Sequence, residues 1–455
     1  MKNWKQKRVL IIGAGKSGLA AQKFLLARGA AVYMLDDKAT ETPHATPNTA
    51  THGNTLYDAC VVSPGVPLTH PMVQRHRDRL MSELDLGFNF RRKIFRRPKI
   101  VAVTGTNGKT TTVNMINDAI NGAHDRANGR RNARASVLCG NVGIPVTSVT
   151  NELRTKTAVV EVSSFQLELP PRHFRPDIGV ILNLTQDHLE RHGTMEEYAK
   201  CKARIGGRYL ILNRDDENIY SHHFIWRSMR RIQPHILWFS MKSPVRGCYL
   251  DGDIIYTHVR GKNAKPAFNL SEFGETRPHM IQNILAVVLV CTLLRVPRDA
   301  VIAACRATTR PHRIELVAKR GGVEFYNDSK ATNIASTVAA CKCFDRDINL
   351  LLGGMGKGQD FTELFAELPS NVKNAYVFGR DADEIIAAAG DFPVHKCVDL
   401  KDAVRRAAAL PESGEPDGGR IVLFSPACSS FDMFKNYEHR GDEFKRLVGE
   451  LVAKM

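Results

Sequence analysis

The sequence predicts an α/β protein of three domains. Three observations carry that prediction. Short apolar strands alternate with helical patterns along the whole chain. Two of those strands run into glycine turns of the kind that hold phosphate. The chain has 455 residues, enough for about three domains at roughly 150 residues each.

The first segment opens with the strand Arg8–Ile12, followed by "GAGKSG" (13–18), an apolar-periodic stretch through Leu26, and Gly29. A second strand, Ala31–Leu35, ends at Asp36-Asp37, which completes a βαβ unit. "VVSPGVP" (61–67) reads as another strand end, and the basic "RRKIFRRPK" (91–99) reads as a linker. The second segment opens at Ile100–Thr104 and passes through "GTNGKTT" (105–111) into a helix. Strands are expected at 158–162 and 179–183, a surface insertion at 122–136 and a hairpin region at 240–275. The third segment carries strands at 348–352, 375–378 and 420–424, with a helix at 382–389. The expected domains are therefore 1–97, 98–311 and 312–455.

Composition narrows the class. With 43% apolar and 24% charged residues, the chain is an ordinary globular protein. The longest apolar run, near Ile284–Leu294, is shorter than the ~20 residues that span a bilayer. The apolar part of the N-terminus, Val9–Ile12, is too short for a secretion signal, so a cytoplasmic protein without membrane insertion is expected. Ten cysteines form no framework; Cys341 and Cys343 are the one close pair, which suits free thiols in a reducing compartment. Lysines and arginines outnumber acids 64 to 47, a net charge of +17. The excess clusters at 91–97, 126–134 and 227–231, with little interleaved aromatic character and no nucleic-acid motif. Solvated basic faces, or attraction of anionic small molecules, are expected rather than nucleic-acid binding.

"GAGKSG" fits G-x-G-x-x-G between strand and helix, with Asp36 18 residues beyond Gly18. Gly15 frees the backbone to approach a diphosphate, while Lys16 and Ser17 add a charge and a hydroxyl. A nicotinamide dehydrogenase would use the same loop, with the acid on a ribose hydroxyl. "GTNGKTT" is two residues tighter than a Walker A loop. Gly105 and Gly108 let the backbone approach an anion, Lys109 can reach β- and γ-phosphates, and Thr110 can ligate Mg²⁺. Glu161 stands at the end of the next strand. Asn183, Asp187 and His188 close the strand after that, and Tyr198, Lys200 and Lys202 follow on a predicted helix.

These stretches, with "GNVGIP" (140–145), "EVSSFQLE" (161–168), "NLTQDHLERH" (183–192), "YAKCKARI" (198–205), "RPHRIE" (310–315), "NDSKATN" (327–333), "LLLGGMGKGQDF" (350–361) and "SPACSSFDMFKNYEHRGDEF" (425–444), closely resemble the Mur ligases of peptidoglycan synthesis, in order and over essentially the whole chain. The resemblance implies a Rossmann-like N-terminal domain, a central P-loop ATPase-like domain and a C-terminal Rossmann-like α/β domain. It also implies an ATP-dependent ligase that phosphorylates a carboxylate and passes the acyl group to an amine. "SSFQLE" and the 425–444 stretch are similar to those of D-glutamate-adding members. The implied substrates are thus UDP-N-acetylmuramoyl-L-alanine and D-glutamate, handled by a monomer.

By the same resemblance, Gly105, Thr106, Asn107, Gly108, Lys109, Thr110 and Thr111 would hold ATP, with Asn283, Arg313 and Asp328. Lys109, Glu161, His188 and Lys202 would be catalytic. Two Mg²⁺ sites are implied, drawing on Thr110, Glu161, His188 and Lys202, the last as a carbamate. Gly15, Ser17, Asp36, Asp37 and Asn141 would meet the UDP substrate. Lys330, Thr332, Lys357, Ser430, Phe431 and Tyr437 would take D-glutamate. Two positions depart from the family pattern: Met280 replaces an amide expected near adenine, and Met355 stands where an acid is common. Weaker ATP binding is the expected consequence. The alternatives are another Mur-type amino-acid ligase, a folylpolyglutamate synthase or an NAD(P)-dependent dehydrogenase. The third segment lacks the D-N-P-R pattern expected for diamino acid addition.

Overall fold

The computed structural model describes residues 4–37, 56–89, 99–126, 135–222, 225, 234–259, 261, 263–275, 277–307, 311–356, 358–409 and 419–454. The basic linker 91–97 and the clusters at 130–134 and 227–231 lie outside the described residues, as does Lys357. The chain divides into two compact units, Met1–Thr308 and Thr309–Met455.

The first unit contains two sheets. In the first sheet the strands are β1 (Arg8–Ile12), β2 (Ala31–Leu35), β3 (Ala59–Val62) and β4 (Leu80–Ser82), ordered β2-β1-β3-β4 and all parallel. The four residues of β3 are all buried, as expected of a central parallel strand covered on both faces. The order reverses between β1 and β3, and "GAGKSG" leaves β1 at that point.

The second sheet has nine strands: β5 (Ile100–Thr104), β6 (Ser136–Gly140), β7 (Thr157–Glu161), β8 (Ile178–Ile181), β9 (Tyr209–Asn213), β10 (His235–Ser240), β11 (Gly247–Asp251), β12 (Ile254–Thr257) and β13 (Lys265–Asn269). Their order is β13-β12-β11-β10-β9-β8-β5-β7-β6. Only β11, β12 and β13 pair antiparallel, which is the hairpin region expected at 240–275. β5 is buried throughout and lies between β7 and β8. The chain leaves β5 toward β6 and returns to β8 on the other side, so a crevice opens at the carboxyl end of β5. The helix Lys109–Arg126 occupies the first five residues of the stretch expected to be a surface insertion; its apolar side, including Val113, Ile116 and Ile120, is buried in the core and holds that turn in the helix.

The two sheets of this unit are joined by the helix Glu83–Phe88, capped by Ser82. Its first residue, Glu83, is buried, and its carboxylate accepts from the Thr147 N–H at 2.6 Å and hydroxyl at 2.7 Å. Asp85 accepts from the His173 and Phe174 N–H groups at 2.5 and 2.9 Å. Phe88 packs on Phe174, and a Cβ at Gly87 would stand 2.5 Å from Val146, so only glycine fits there.

The second unit has one sheet, β14 (Glu315–Arg320), β15 (Val323–Asn327), β16 (Ile348–Gly353), β17 (Val372–Phe378), β18 (Val394–Lys396) and β19 (Arg420–Phe424), ordered β14-β15-β19-β16-β17-β18. Only β14 is antiparallel to its neighbour. β19 returns between β15 and β16, so the carboxyl ends of those three strands share one edge.

Burial raises the Glu83 pKa to about 6 despite the two Thr147 bonds. A raised carboxyl pKa favours the protonated form in the native state. Stability is therefore greatest below the unfolded value near 4.5 and falls as pH rises to about 6, by about 2 kcal/mol. Thermal unfolding of Glu83→Gln across pH 4–8 should lack that decline, whereas a decline equal to wild type would assign it to another group.

Candidate active site

In the first glycine turn, Gly13 has φ +97°, and a Cβ there would stand 2.7 Å from the Ser63 side chain. Ser63 donates to the Gly13 carbonyl at 2.8 Å, which ties β3 to the turn. A Cβ at Gly18 would fall 1.9 Å from the Gly13 carbonyl oxygen. Gly15, exposed, caps the helix Lys16–Leu26 without a side-chain bond, with Ser17 half-buried in its first turn. Asp36 accepts from the Ala14 N–H and Asp37 pairs with His70 at 3.0 Å. The dehydrogenase reading needs the carboxylate at the end of β2 on a ribose; here Asp36 closes the turn itself.

The second turn is held from β8. Asn183, two residues past that strand, accepts from the Asn107 N–H at 2.7 Å and donates to the Asn107 carbonyl at 3.2 Å. Its own carbonyl accepts from the Thr106 N–H at 3.1 Å. Thr106 donates to the Thr185 carbonyl and receives the Thr185 N–H, both at 3.1 Å. Gly108 has φ +79°, and a Cβ there would lie 2.6 Å from Asn283 Oδ1. Asn283 is buried on the helix Pro278–Leu294 with Met280, whose sulfur is 4.0 Å from the Asn283 amide. Asn283 therefore packs directly against the turn. Thr110 is half-buried, and Thr111 is buried, in the first turn of Lys109–Arg126.

Lys109 Nζ donates to the Gly105 and Thr106 carbonyls, both at 2.8 Å. Lys202, 1% exposed on the helix Met195–Ala203, donates to the same Gly105 carbonyl at 2.9 Å and lies 4.2 Å over the Tyr198 ring. Burial, then the Lys109 charge, lower the Lys202 pKa well below the usual lysine range. Among the described residues no carboxylate lies within ion-pair distance of Lys202, whereas Lys200 pairs at the surface with Glu196 and Glu197. The Tyr198 hydroxyl lies 3.4 Å from Thr106 Oγ1, and burial raises its pKa.

Glu161 ends β7 buried. One carboxylate oxygen accepts from the Asn141 amide at 2.8 Å, and the other is buried without a partner. His188 adopts the left-handed region at φ 57° as it enters the helix Leu189–His192, between Asp187 at 3.6 Å and Glu190 at 3.5 Å and against Phe165. Next to it, His192 bonds Ser164 at 3.0 Å, and burial with the His188 and Lys202 charges lowers its pKa to about 4. Arg191 pairs with Glu168 at 2.7 Å and donates to the Val66 carbonyl at 2.8 Å, which braces the β3 exit against the "SSFQLE" turn. Among the described residues no three His, Cys, Asp or Glu side chains gather as a metal cluster.

In the second unit, Asp328 follows β15 and accepts from Ser425 at 2.8 Å and from the Ile314 N–H at 3.3 Å. Arg313, half-buried, lies between two residues of positive φ, His312 at 63° and Ile314 at 46°. The Lys330 ammonium lies 3.9 Å over the Tyr437 ring. Thr332 is half-buried, Ser430 is buried and Phe431 is 68% exposed. Met355 pairs with Ser429 through two backbone bonds of 2.9 Å, so this position serves the local bridge through its main chain. All ten cysteines are free, and among the described residues no helix is long and apolar enough to cross a membrane.

A phosphate-type turn at a sheet switch point, two lysines on one of its carbonyls and a carboxylate with an open oxygen describe a site for a nucleotide's phosphates. The comparisons agree. Residues 7–82 match the Mur ligase MurD-like N-terminal domain, residues 103–291 the Mur ligase middle domain, and residues 312–428 the Mur ligase glutamate ligase domain. The chain is 37% identical to the UDP-N-acetylmuramoylalanine--D-glutamate ligase of Acidobacterium capsulatum, over 98% of this chain and 96% of that one. It is 35% identical to the enzyme of the same name from Koribacter versatilis, over 98% of both chains. A pseudomurein peptide ligase type C from Methanothermus fervidus shares the fold at TM-score 0.58 and 15% identity, over 98% of this chain and 100% of that one. A UDP-N-acetylmuramate-alanine ligase from Thermotoga maritima does so at TM-score 0.56 and 15% identity, over 99% and 100%. The chain belongs to the Mur ligase family and is an ATP-dependent amide ligase.

Sequence alone assigns Asn183 no role, although its side chain bonds both the N–H and the carbonyl of Asn107. Its signal was its place just beyond a strand that adjoins β5. Asn183→Ala should raise the KM for ATP about tenfold and lower stability by about 1–3 kcal/mol, since it strands two groups of the turn. Steady-state kinetics and denaturant unfolding check both effects.

Proposed function

We propose that this enzyme adds D-glutamate to UDP-N-acetylmuramoyl-L-alanine, forming an amide with release of ADP and phosphate. The observation that carries the reading is the near-full-length similarity, at 32–37% identity, to relatives bearing that ligase's name. The turn chemistry supports it. A substrate carboxylate oxygen attacks the γ-phosphorus of ATP and ADP leaves. The amine nitrogen then attacks the acyl carbon, loses a proton, and phosphate leaves.

In this reading the N–H groups of residues 105–111 and the Lys109 ammonium orient the triphosphate. Asn283 holds the turn from behind, and we assign Arg313 and Asp328 to ATP as well. Ser17, Asp37 and the open N–H groups after Gly15 receive the uridine diphosphate, while Asp36 shapes their turn. Asn141 reaches the muramoyl end. Lys330, Thr332, Ser430, Phe431 and Tyr437 line the D-glutamate site, to which we also assign Lys357. The domains extend over 1–97, 98–311 and 312–455, and the enzyme works as a cytoplasmic monomer.

Magnesium fits the residues present. The buried partnerless oxygen of Glu161 and the Thr110 hydroxyl are hard oxygen donors beside the phosphate turn. His188 and Lys202 would serve a second ion, which supplies charge neutralisation when bound. An ammonium cannot ligate a cation, but the lowered Lys202 pKa favours the neutral amine, which can add CO₂ to give an anionic carbamate with loss of a proton.

Two measurements test the reading. Enzyme with ATP, Mg²⁺ and UDP-N-acetylmuramoyl-L-alanine should release phosphate only on addition of D-glutamate; release with L-lysine or diaminopimelate instead overturns the substrate assignment. Enzyme equilibrated with ¹³C-bicarbonate should show one carbamate carbon resonance that is absent from Lys202→Ala, and its absence from wild type would remove the carbamate.

A further inference from the structure

The C-terminal helix Tyr437–Lys454 carries an arginine that no ion pair explains. Arg440 is 1% exposed, the largest side chain so deeply buried among the described residues. Its Nε donates to Ser329 Oγ at 3.0 Å, and its Nη2 donates to the Ser329 carbonyl at 2.8 Å. Nη1 is buried without a hydrogen-bond partner. A Cβ at Gly354 would stand 3.2 Å from Nη1, so the guanidinium lies against the Gly353-Gly354 corner at the end of β16. Among the described residues no carboxylate lies within ion-pair distance, and burial lowers the Arg440 pKa to about 10. A buried cation of this kind costs stability, and an apolar side chain of similar volume would cost less. What the guanidinium supplies, and an apolar group cannot, is a rigid fork of donors.

That fork meets two backbone corners at one sheet edge. Ser329 lies between Asp328 and Lys330 at the end of β15. Its hydroxyl also donates to the Tyr437 carbonyl at 2.9 Å, and the Tyr437 ring carries the Lys330 ammonium at 3.9 Å. The Lys330 N–H in turn donates to the His312 carbonyl at 3.2 Å. On the other side, Gly354 leads into Met355, which pairs with Ser429 beside Ser430. Arg440 thus touches the turns from β15 and β16 without itself reaching solvent.

We propose that Arg440 is a positioning residue for the amino-acid substrate, fixing the spacing between the Asp328–Lys330 turn and the Gly354 corner so that their groups meet a dicarboxylate. The proposal rests on the reading of this edge as the D-glutamate site. Losing the fork lets the two turns drift apart, which weakens amino-acid binding and leaves ATP and UDP-substrate binding unchanged.

Steady-state kinetics of Arg440→Met, Arg440→Lys and Ser329→Ala, with each substrate varied in turn, test it. The KM for D-glutamate should rise about tenfold in Arg440→Met, and less in Ser329→Ala. Values for ATP and the UDP substrate should stay within about twofold, with kcat falling less than the D-glutamate KM rises. Arg440→Lys should stay impaired, because an ammonium keeps the charge but not the fork; a wild-type KM in that variant overturns the proposal. So does an unchanged D-glutamate KM in folded Arg440→Met, or a fall in kcat alone. If both Arg440 variants fail to fold, Ser329→Ala decides, and an unchanged D-glutamate KM there overturns the proposal. Wild-type enzyme that accepts a different amino acid sinks the D-glutamate reading alone, and the same KM comparison is then made with that amino acid.

Discussion

The Gly105 carbonyl accepts from two lysine side chains, Lys109 at 2.8 Å and Lys202 at 2.9 Å, and the rest of the site depends on that contact. Two cations on one oxygen would repel, and burial, then the Lys109 charge, lower the Lys202 pKa and favour its neutral amine. Such a place calls for an anion. The positive dipole end of the helix Lys109–Arg126 adds to the same demand. Asn183 braces the turn by holding Asn107 at both its N–H and its carbonyl. A side chain from a neighbouring strand therefore does what loop length does in a longer phosphate loop.

The same construction recurs at each sheet. Strand order reverses beside a glycine turn at β1 and at β5 and, without a glycine, between β15 and β19, and a polar side chain from the adjoining strand's exit reaches across. Ser63 reaches Gly13, Asn183 reaches Asn107, and Ser425 reaches Asp328. Parallel sheets place diverging loops at the carboxyl ends of their strands, and these cross-braces stop the loops from closing over the crevice. Glu83, Asp85 and Arg191 extend the bracing between the two sheets of the first unit.

Much of this was legible in the chain. The strand–glycine–helix grammar located β1 and β5 at their observed bounds, and the hairpin region appeared as three strands in two antiparallel pairings. The strand expected at 179–183 ends instead at Ile181, because Asn183 leaves the ladder to bind the phosphate turn. The stretch 122–136 looked aperiodic, yet residues through Arg126 continue a helix whose apolar side is anchored earlier. Asp36 fitted a ribose contact by spacing alone, and only the fold shows its carboxylate on the Ala14 N–H. Arg440 lies within the 425–444 stretch that carried the resemblance, but nothing local marks it as buried, since one arginine in an amphipathic helix reads as surface.

By itself the sequence determined the α/β class, the two glycine turns and the phosphate- and cation-binding residue types beside them. Those follow from local rules of period, glycine conformation and donor chemistry, which act within a few residues. Tertiary structure alone decided which lysine is buried and which is solvated, with Lys202 inside and Lys200 on a surface pair. It also decided that Asn183 is a brace and Arg440 a buried fork. These depend on strands and helices meeting across 76 and 111 residues of chain, a separation at which no sequence periodicity operates.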